Sequence, residues 1–109
     1  MAQNFRRYTL SAVSDSPEAV SAAFDSYDTI IGISLSNILG ATILVDCYIN
    51  DGSDNIYLVK DAPIPSGGAL QVLDGGAKLV VQSSDRMYVV SDTASSLDVW
   101  VSAVDAIST

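Results

Sequence analysis

A chain of 109 residues, 49% of them apolar, can bury one real core and is too short for two domains. Thirteen acidic against five basic residues give a net charge of −8, so the basic face that nucleic-acid binding requires is lacking. Apolar runs such as Ile43-Leu44-Val45 fall far short of the ~20 residues of a membrane helix, and Met1–Arg7 has no apolar block behind its charge, so a soluble protein without a secretory leader, made in the cytoplasm, is expected.

Phe5–Val13 alternates, with Phe5, Arg7 and Thr9 set against Arg6, Tyr8, Leu10 and Ala12. It reads as a first strand with Tyr8 and Leu10 inward, or as an arm that pairs with a neighbouring subunit; either way the chain divides into residues 1–13 and a body of 14–109. Ser16-Pro17-Glu18 suits the cap of a short helix through Phe24, with proline at the first helical position. A strand of small residues fits the same stretch. Thr29–Ser36 reads as a strand with Ile31, Ile33 and Leu35 on one face. Ala41–Asn50 reads as another, with Ile43, Val45, Cys47 and Ile49 inside and Thr42, Leu44, Asp46 and Tyr48 outside. Asn37-Ile38-Leu39-Gly40 between them has hairpin length, with Gly40 free to take a positive φ, so these two strands are expected to pair.

Asp51-Gly52-Ser53-Asp54-Asn55 is a turn. Ile56–Asp61 is a strand ended by Ala62-Pro63-Ile64-Pro65, and its prolines assign it to an edge or a corner because they cannot donate to a ladder. Ser66-Gly67-Gly68 turns the chain; Leu70–Leu73 and Lys78–Gln82 flank a tight turn at Asp74-Gly75-Gly76. Arg86–Val90 and Leu97–Val104 complete the set, the last with Leu97, Val99 and Val101 inward and Asp98, Trp100 and Ser102 outward. About eight strands with turn signals every 8–12 residues or so predict an all-β fold. The expected form is a two-sheet antiparallel β-sandwich with a jelly-roll or Greek-key path and a place for one short N-terminal helix.

The sequence has no histidine and one cysteine. That removes His-based acid–base catalysis, Ser-His-Asp triads, Cys-His pairs and ordinary zinc sites. Cys47, in phase with Val45 and Ile49, reads as a small buried hydrophobe. Most aspartates fall in turns, where they cap their own backbone. Asp51–Asn55 clusters oxygen ligands but lacks the spacing and closing Glu of an EF-hand loop. The glycine pairs at 67–68 and 75–76 are not followed by Lys-Ser/Thr, so they are turns rather than phosphate cradles. No catalytic residue, metal site or cofactor is assigned. The candidate interface comprises Phe5, Arg6, Arg7 and Tyr8 near the N-terminus with Leu44, Tyr48 and Trp100 on outward faces, because aromatic residues and arginine are enriched at interface centres.

Three stretches carry a resemblance: Tyr57-Leu58-Val59-Lys60-Asp61-Ala62-Pro63-Ile64-Pro65-Ser66-Gly67, Leu73-Asp74-Gly75-Gly76-Ala77-Lys78-Leu79-Val80, and Ala94-Ser95-Ser96-Leu97-Asp98-Val99-Trp100-Val101-Ser102. With Ile33–Asn37 and Asp46–Gly52 they resemble small virion structural proteins of tailed bacteriophages, frequent in phages of cyanobacteria and other marine hosts. Those proteins share a YLVK-x-APIP-x-G-x-x-L-x-V-L strand and corner, a GGKL hairpin and a closing SSLDV-x-x-S strand; Ala77 lengthens the hairpin turn here. The resemblance spans Ile31 to Ile107 and leaves the first thirty residues uncovered. It implies a non-enzymatic virion component, first of all a decoration (cement) protein that binds the major capsid protein in many copies, as a homo-oligomer such as a trimer, with the N-terminal arm exchanged between subunits. The alternatives are a neck, collar or tail component and, from another class, a module that binds host-surface glycan through Trp100 and Tyr48. No nucleic-acid or membrane partner is expected.

Overall fold

Strands that alternate apolar with polar residues each need one covered face, and the chain meets that need with two antiparallel sheets packed on each other. The computed structural model describes residues 4–20, 28–73 and 78–105. Their strands are β1 (Asn4–Val13), β2 (Glu18–Ala19), β3 (Thr29–Asn37), β4 (Ile43–Asn50), β5 (Asn55–Ile64), β6 (Ala69–Leu73), β7 (Leu79–Val80), β8 (Arg86–Ser91) and β9 (Leu97–Asp105). One sheet runs β1-β9-β3-β6, with β7 also on β3; the other runs β2-β8-β4-β5. Both β6 and β7 lie antiparallel to β3, opposite Ile33–Ser36 and Thr29–Ile30 respectively, so they form two stretches of one course along the same edge. Taken as one strand, they complete a nested set in which first pairs with last, second with second-last, third with third-last, and the middle two with each other. That is one long antiparallel hairpin rolled into two layers, the jelly roll.

This path corrects several expectations. The strands on either side of Asn37–Gly40 do not pair; β3 and β4 belong to different sheets. The buried side chain of Asn37 makes the connection a corner: Nδ2 donates to the carbonyls of Ala41 (2.7 Å) and Ile64 (2.9 Å), and Oδ1 accepts from the Leu39 amide (2.8 Å). A single amide thereby satisfies three backbone groups that a hairpin ladder would have paired. The described positive-φ glycines are Gly52 and Gly67, not Gly40. Gly67 (φ 71°) is the third residue of a turn closed by Gly68 N donating to the Pro65 carbonyl at 2.9 Å. β5 runs through Pro63 to Ile64, because on an edge strand the missing N–H costs no ladder bond.

Of the two readings of the stretch after Ser16, a short helix or a strand of small residues, the described start is the strand, β2: Glu18 and Ala19 pair with Val89 and Tyr88, and Val20 donates to the Met87 carbonyl at 2.9 Å. Pairing with a core strand outweighs a weak local cap. The rest of that helix, and the turn at Asp74-Gly75-Gly76, lie outside the described residues; the segments flanking that turn pair with β3 and not with each other.

The inner faces carry Val13, Ile30, Ile33, Leu35, Ile43, Val45, Cys47, Met87, Val89, Leu97 and Val101, all essentially without solvent contact. Alternation alone would place Ile31 with Ile33. A register shift between Ile30↔Ala103 and Gly32↔Ser102 leaves Ile31 as an extra residue, so Ile30 and Ile33 both reach the core. Two further bulges share one device. In β1, Ser11 and Ala12 stand against Asp98; Ala12 has φ 55° and its amide donates to Asp98 Oδ1 at 2.9 Å. In β5, Lys60 and Asp61 stand against Asp46; Asp61 has φ 51° and its amide donates to Asp46 Oδ1 at 2.7 Å. In each case a carboxylate on the facing strand holds a left-handed residue that lacks the freedom of glycine.

Replacing either clamp, as Asp98→Ala or Asp46→Ala, should cost about 1 kcal/mol in urea unfolding, whereas the Asn variants keep the accepting oxygen and should cost less. Burial pushes the Cys47 thiol up to about 12 from an ordinary 9.0. The folded state therefore holds this proton where the unfolded state releases it. Its contribution to stability is complete below about pH 9 and is lost between 9 and 12, at about 1.4 kcal/mol per unit. The difference in unfolding free energy between wild type and Cys47→Ala should shrink across that window, and the native thiol should resist alkylation at pH 8.

Candidate functional site

With the inner faces sealed, the outer faces of the two sheets are what the molecule offers to partners, and their chemistry differs. On the first sheet, one row of cross-strand neighbours reads Thr9–Trp100–Ser34–Gln71. Trp100 stands 53% exposed among small polar residues, as the parity of Leu97–Val104 predicts. The Arg7 guanidinium lies over the indole, 5.4 Å from the ring centroid. An open depression of about 380 Å³ runs beside it, between Arg7, Thr9, Ser11, Asp98 and Trp100. Phe5, opposite Val104, is 73% exposed on the same strand. Arg6 is exposed, while Tyr8 and Leu10 lean against the core.

On the second sheet, Tyr88, Tyr48 and Tyr57 sit directly opposite one another across β8, β4 and β5. Tyr48 lies 4.9 Å from Tyr57 with rings tilted by 46°, and 5.4 Å from Tyr88 with rings stacked at 20°. Tyr48 occupies the expected outward face, but its two neighbours cover it and it keeps only 7% exposure. The accessible aromatic of this face is Tyr57, at 42%. Burial first, then the charges that Tyr57, Tyr88 and Asp46 would present, raise the Tyr48 phenol above its ordinary value. Lys60 Nζ hangs 4.7 Å from the Tyr57 ring centroid and 3.8 Å from Asp46 Oδ2. Leu44, partly exposed, is opposite Pro63 on the same face. Parity within each strand was legible in the sequence; the register that brings three tyrosines into one row was not.

The acids serve the backbone. Asp51 Oδ1 accepts from the amides of Ser53 (3.0 Å) and Asp54 (2.8 Å), which lowers its pKa and fixes the β4–β5 turn. Among the described residues, no group of three or more His, Cys, Asp or Glu side chains gathers in a way that could hold a metal ion. Among them, too, no helix is long and apolar enough to cross a membrane. What the arrangement provides is two surfaces, one polar around a single indole and one centred on a row of tyrosines.

No protein-family model matches the chain, and no curated protein does. Solved structures share its fold. A subunit of Bacillus endospore appendages, described as a novel family of disulfide-linked pili, aligns at TM-score 0.57 and 13% identity over 98% of this chain and 88% of its own. A protein of infectious bursal disease virus, Gx strain, aligns at 0.52 and 13% identity over 97% of this chain and 34% of its own, so this chain spans about a third of that protein. A pentameric capsid protein from metagenomic phage sequences aligns at 0.46 and 13% identity, over 96% and 65%. At these identities the first two establish a shared jelly-roll sandwich and nothing about role, and the third, below 0.5, adds no weight.

If the tyrosine row acts as a unit, Tyr48→Ala and Tyr57→Ala should not be additive. A double-mutant cycle in urea should give a coupling of about 0.5–1.5 kcal/mol, whereas Tyr57→Ala paired with the remote Trp100→Ala should give none.

Proposed function

We propose that this chain is a non-enzymatic structural subunit of a virus particle, and specifically a decoration protein held in many copies on the outside of a tailed-bacteriophage capsid. The observation that carries the reading is the nested strand order of the rolled hairpin, an architecture that viral capsid domains use repeatedly. The resemblance of the Tyr57–Gly67 and Ala94–Ser102 stretches to phage virion proteins points the same way, and the rigid inert core suits a subunit whose work is shape.

The aromatic face of the second sheet is the docking surface in this reading. Tyr57, Leu44 and Pro63 give a desolvated centre, and Lys60 and Asp46 supply a polar rim. The partner is the major capsid protein. Modest contacts repeated across identical sites then bridge neighbouring capsomers, and oligomers gain further because the second contact forms at high effective concentration. β1 is laid on β9 of its own chain. Its outer edge is long, free of proline and straight from Asn4 to Leu10, which suits strand addition between copies in a trimer. Phe5, Arg6 and Arg7 flank that edge.

A fibre of the disulfide-linked kind is disfavoured for this chain, since its one cysteine is buried and its thiol resists ionisation. Neck or tail placement differs from decoration in copy number. Quantitative mass spectrometry of purified particles should find this chain in numbers comparable to the capsid protein. A stoichiometry fit only for a single ring would move it to the neck or tail, and absence from particles would end the reading. Tyr57→Glu, on a folded protein, should reduce incorporation at least tenfold; wild-type incorporation of that variant would relocate the docking face.

A further inference from the structure

We propose that the depression beside Trp100 is a binding site for a neutral sugar ring. The site is independent of the particle role; within that role, docking by the tyrosine face turns the Trp100 face away from the capsid, because the two outer faces of a sandwich point in opposite directions.

The chemistry follows from what surrounds the indole. Its row neighbours are Thr9, Ser34 and Gln71, and Asp98 and Arg7 line the same hollow. Gln71 Nε2 already donates to Ser34 Oγ at 3.1 Å, but a protein partner packed on this face would still bury the Thr9 hydroxyl and the Asp98 and Arg7 charges and would have to satisfy them. A pyranose meets the same surface on its own terms. It sets a C–H face on the indole, and its ring of hydroxyls both donates and accepts. Asp98 Oδ1 is occupied by the Ala12 amide, and among the described residues Oδ2 has no protein partner, so it stands ready to accept from a sugar hydroxyl. The Arg7 guanidinium, held over the indole, has no ion pair among the described residues and supplies donors. The volume of about 380 Å³ sits at the small end of the roughly 300–1,000 Å³ of small-ligand sites. A net charge of −8 disfavours acidic sugars and selects neutral ones. On the tyrosine face the charged groups Lys60 and Asp46 are paired with each other, and Lys60 also covers the Tyr57 ring.

Trp100 is the one tryptophan of the chain, so its emission reports on this site alone. The folded protein is titrated with the methyl glycosides of glucose, galactose, mannose and N-acetylglucosamine and with short neutral oligosaccharides of each, and with polysialic acid as the anionic comparison. At least one neutral series should give a saturable fluorescence change together with a shift of the Trp100 indole N–H resonance, tightening from monosaccharide to oligosaccharide. Asp98→Asn, which keeps the acceptor for Ala12, should weaken binding about tenfold. Thr9→Arg, at an exposed strand position, fills the depression and should abolish binding while leaving the reporter in place; Tyr57→Ala should bind as wild type. No saturable response to any neutral sugar would overturn the proposal. So would a response that survives Thr9→Arg or a preference for polysialic acid. Self-association seen in sedimentation and removed by Thr9→Arg would mark the face as a protein interface instead.

Discussion

The rest of this structure depends on one constraint: two sheets that hide a common dry seam. Side chains of β3 and β9 from one layer meet those of β4 and β8 from the other. Each fully buried aliphatic residue there contributes about 1.5–3 kcal/mol of transfer free energy, which is offset by the ordering of the chain. Because the seam must be continuous, every departure from simple alternation has to bring the next apolar residue back to it. That requirement explains the bulges better than any local preference does. If Ile31 were paired in regular alternation rather than bulged, Ile30 and Ile33, three positions apart, would face opposite sides and one of them would meet water. Without the two-against-one arrangement at Ser11 and Ala12, Leu10 and Val13 would point to opposite faces.

The aspartate clamps extend this logic to the surface. A bulge exposes an amide that the ladder no longer uses, and a left-handed alanine or aspartate is strained. Asp98 and Asp46 answer both problems from the facing strand. They also tie the inside of the fold to its outside. Asp98 lines the hollow beside Trp100, and Asp46 reaches Lys60 at the margin of the tyrosine row. The residues that set the phase of the core thus also line both outer faces.

How much of this was legible in the sequence follows from the range of each interaction. Strand existence, the all-β class, the inward sets Ile43-Val45-Cys47-Ile49 and Leu97-Val99-Val101, and the outward Trp100 come from alternation within a strand, which a single sequence carries. The pairing of β3 with β9 and β6 rather than with β4 does not, because it depends on Asn37 bonding to a carbonyl 27 residues away. A short loop ending in glycine looks the same whether it closes a hairpin or turns a corner. For the start of the segment after Ser16 a proline and small residues fit a helix start and a strand alike, and only the presence of β8 decides between the two. Tyr57 and Tyr88 were missed for the same reason as the clamps: each is set by register between strands. An Asp facing a two-residue step in the alternation is the one signal that could have revealed the bulges.

Charge distribution narrows how such a molecule assembles. Thirteen acids and five bases make copies repel one another, but beyond a Debye length of about 8 Å at physiological ionic strength that repulsion fades. Copies crowded on one surface would therefore be kept apart or brought together by contact chemistry rather than by long-range fields. The described strand β1 carries two of the five cations, Arg6 and Arg7, and no acid. Next to it, Arg7 lies over Trp100 and so presents its charge flat against the sheet instead of projecting it. Stacking of this kind lets an arginine neutralise part of an acidic surface without creating a basic patch that would capture polyanions. The β1 edge thus carries positive charge held close to the sheet on a chain that is acidic as a whole, so the surface around it differs in charge from the rest of the molecule without offering polyanions a basic patch.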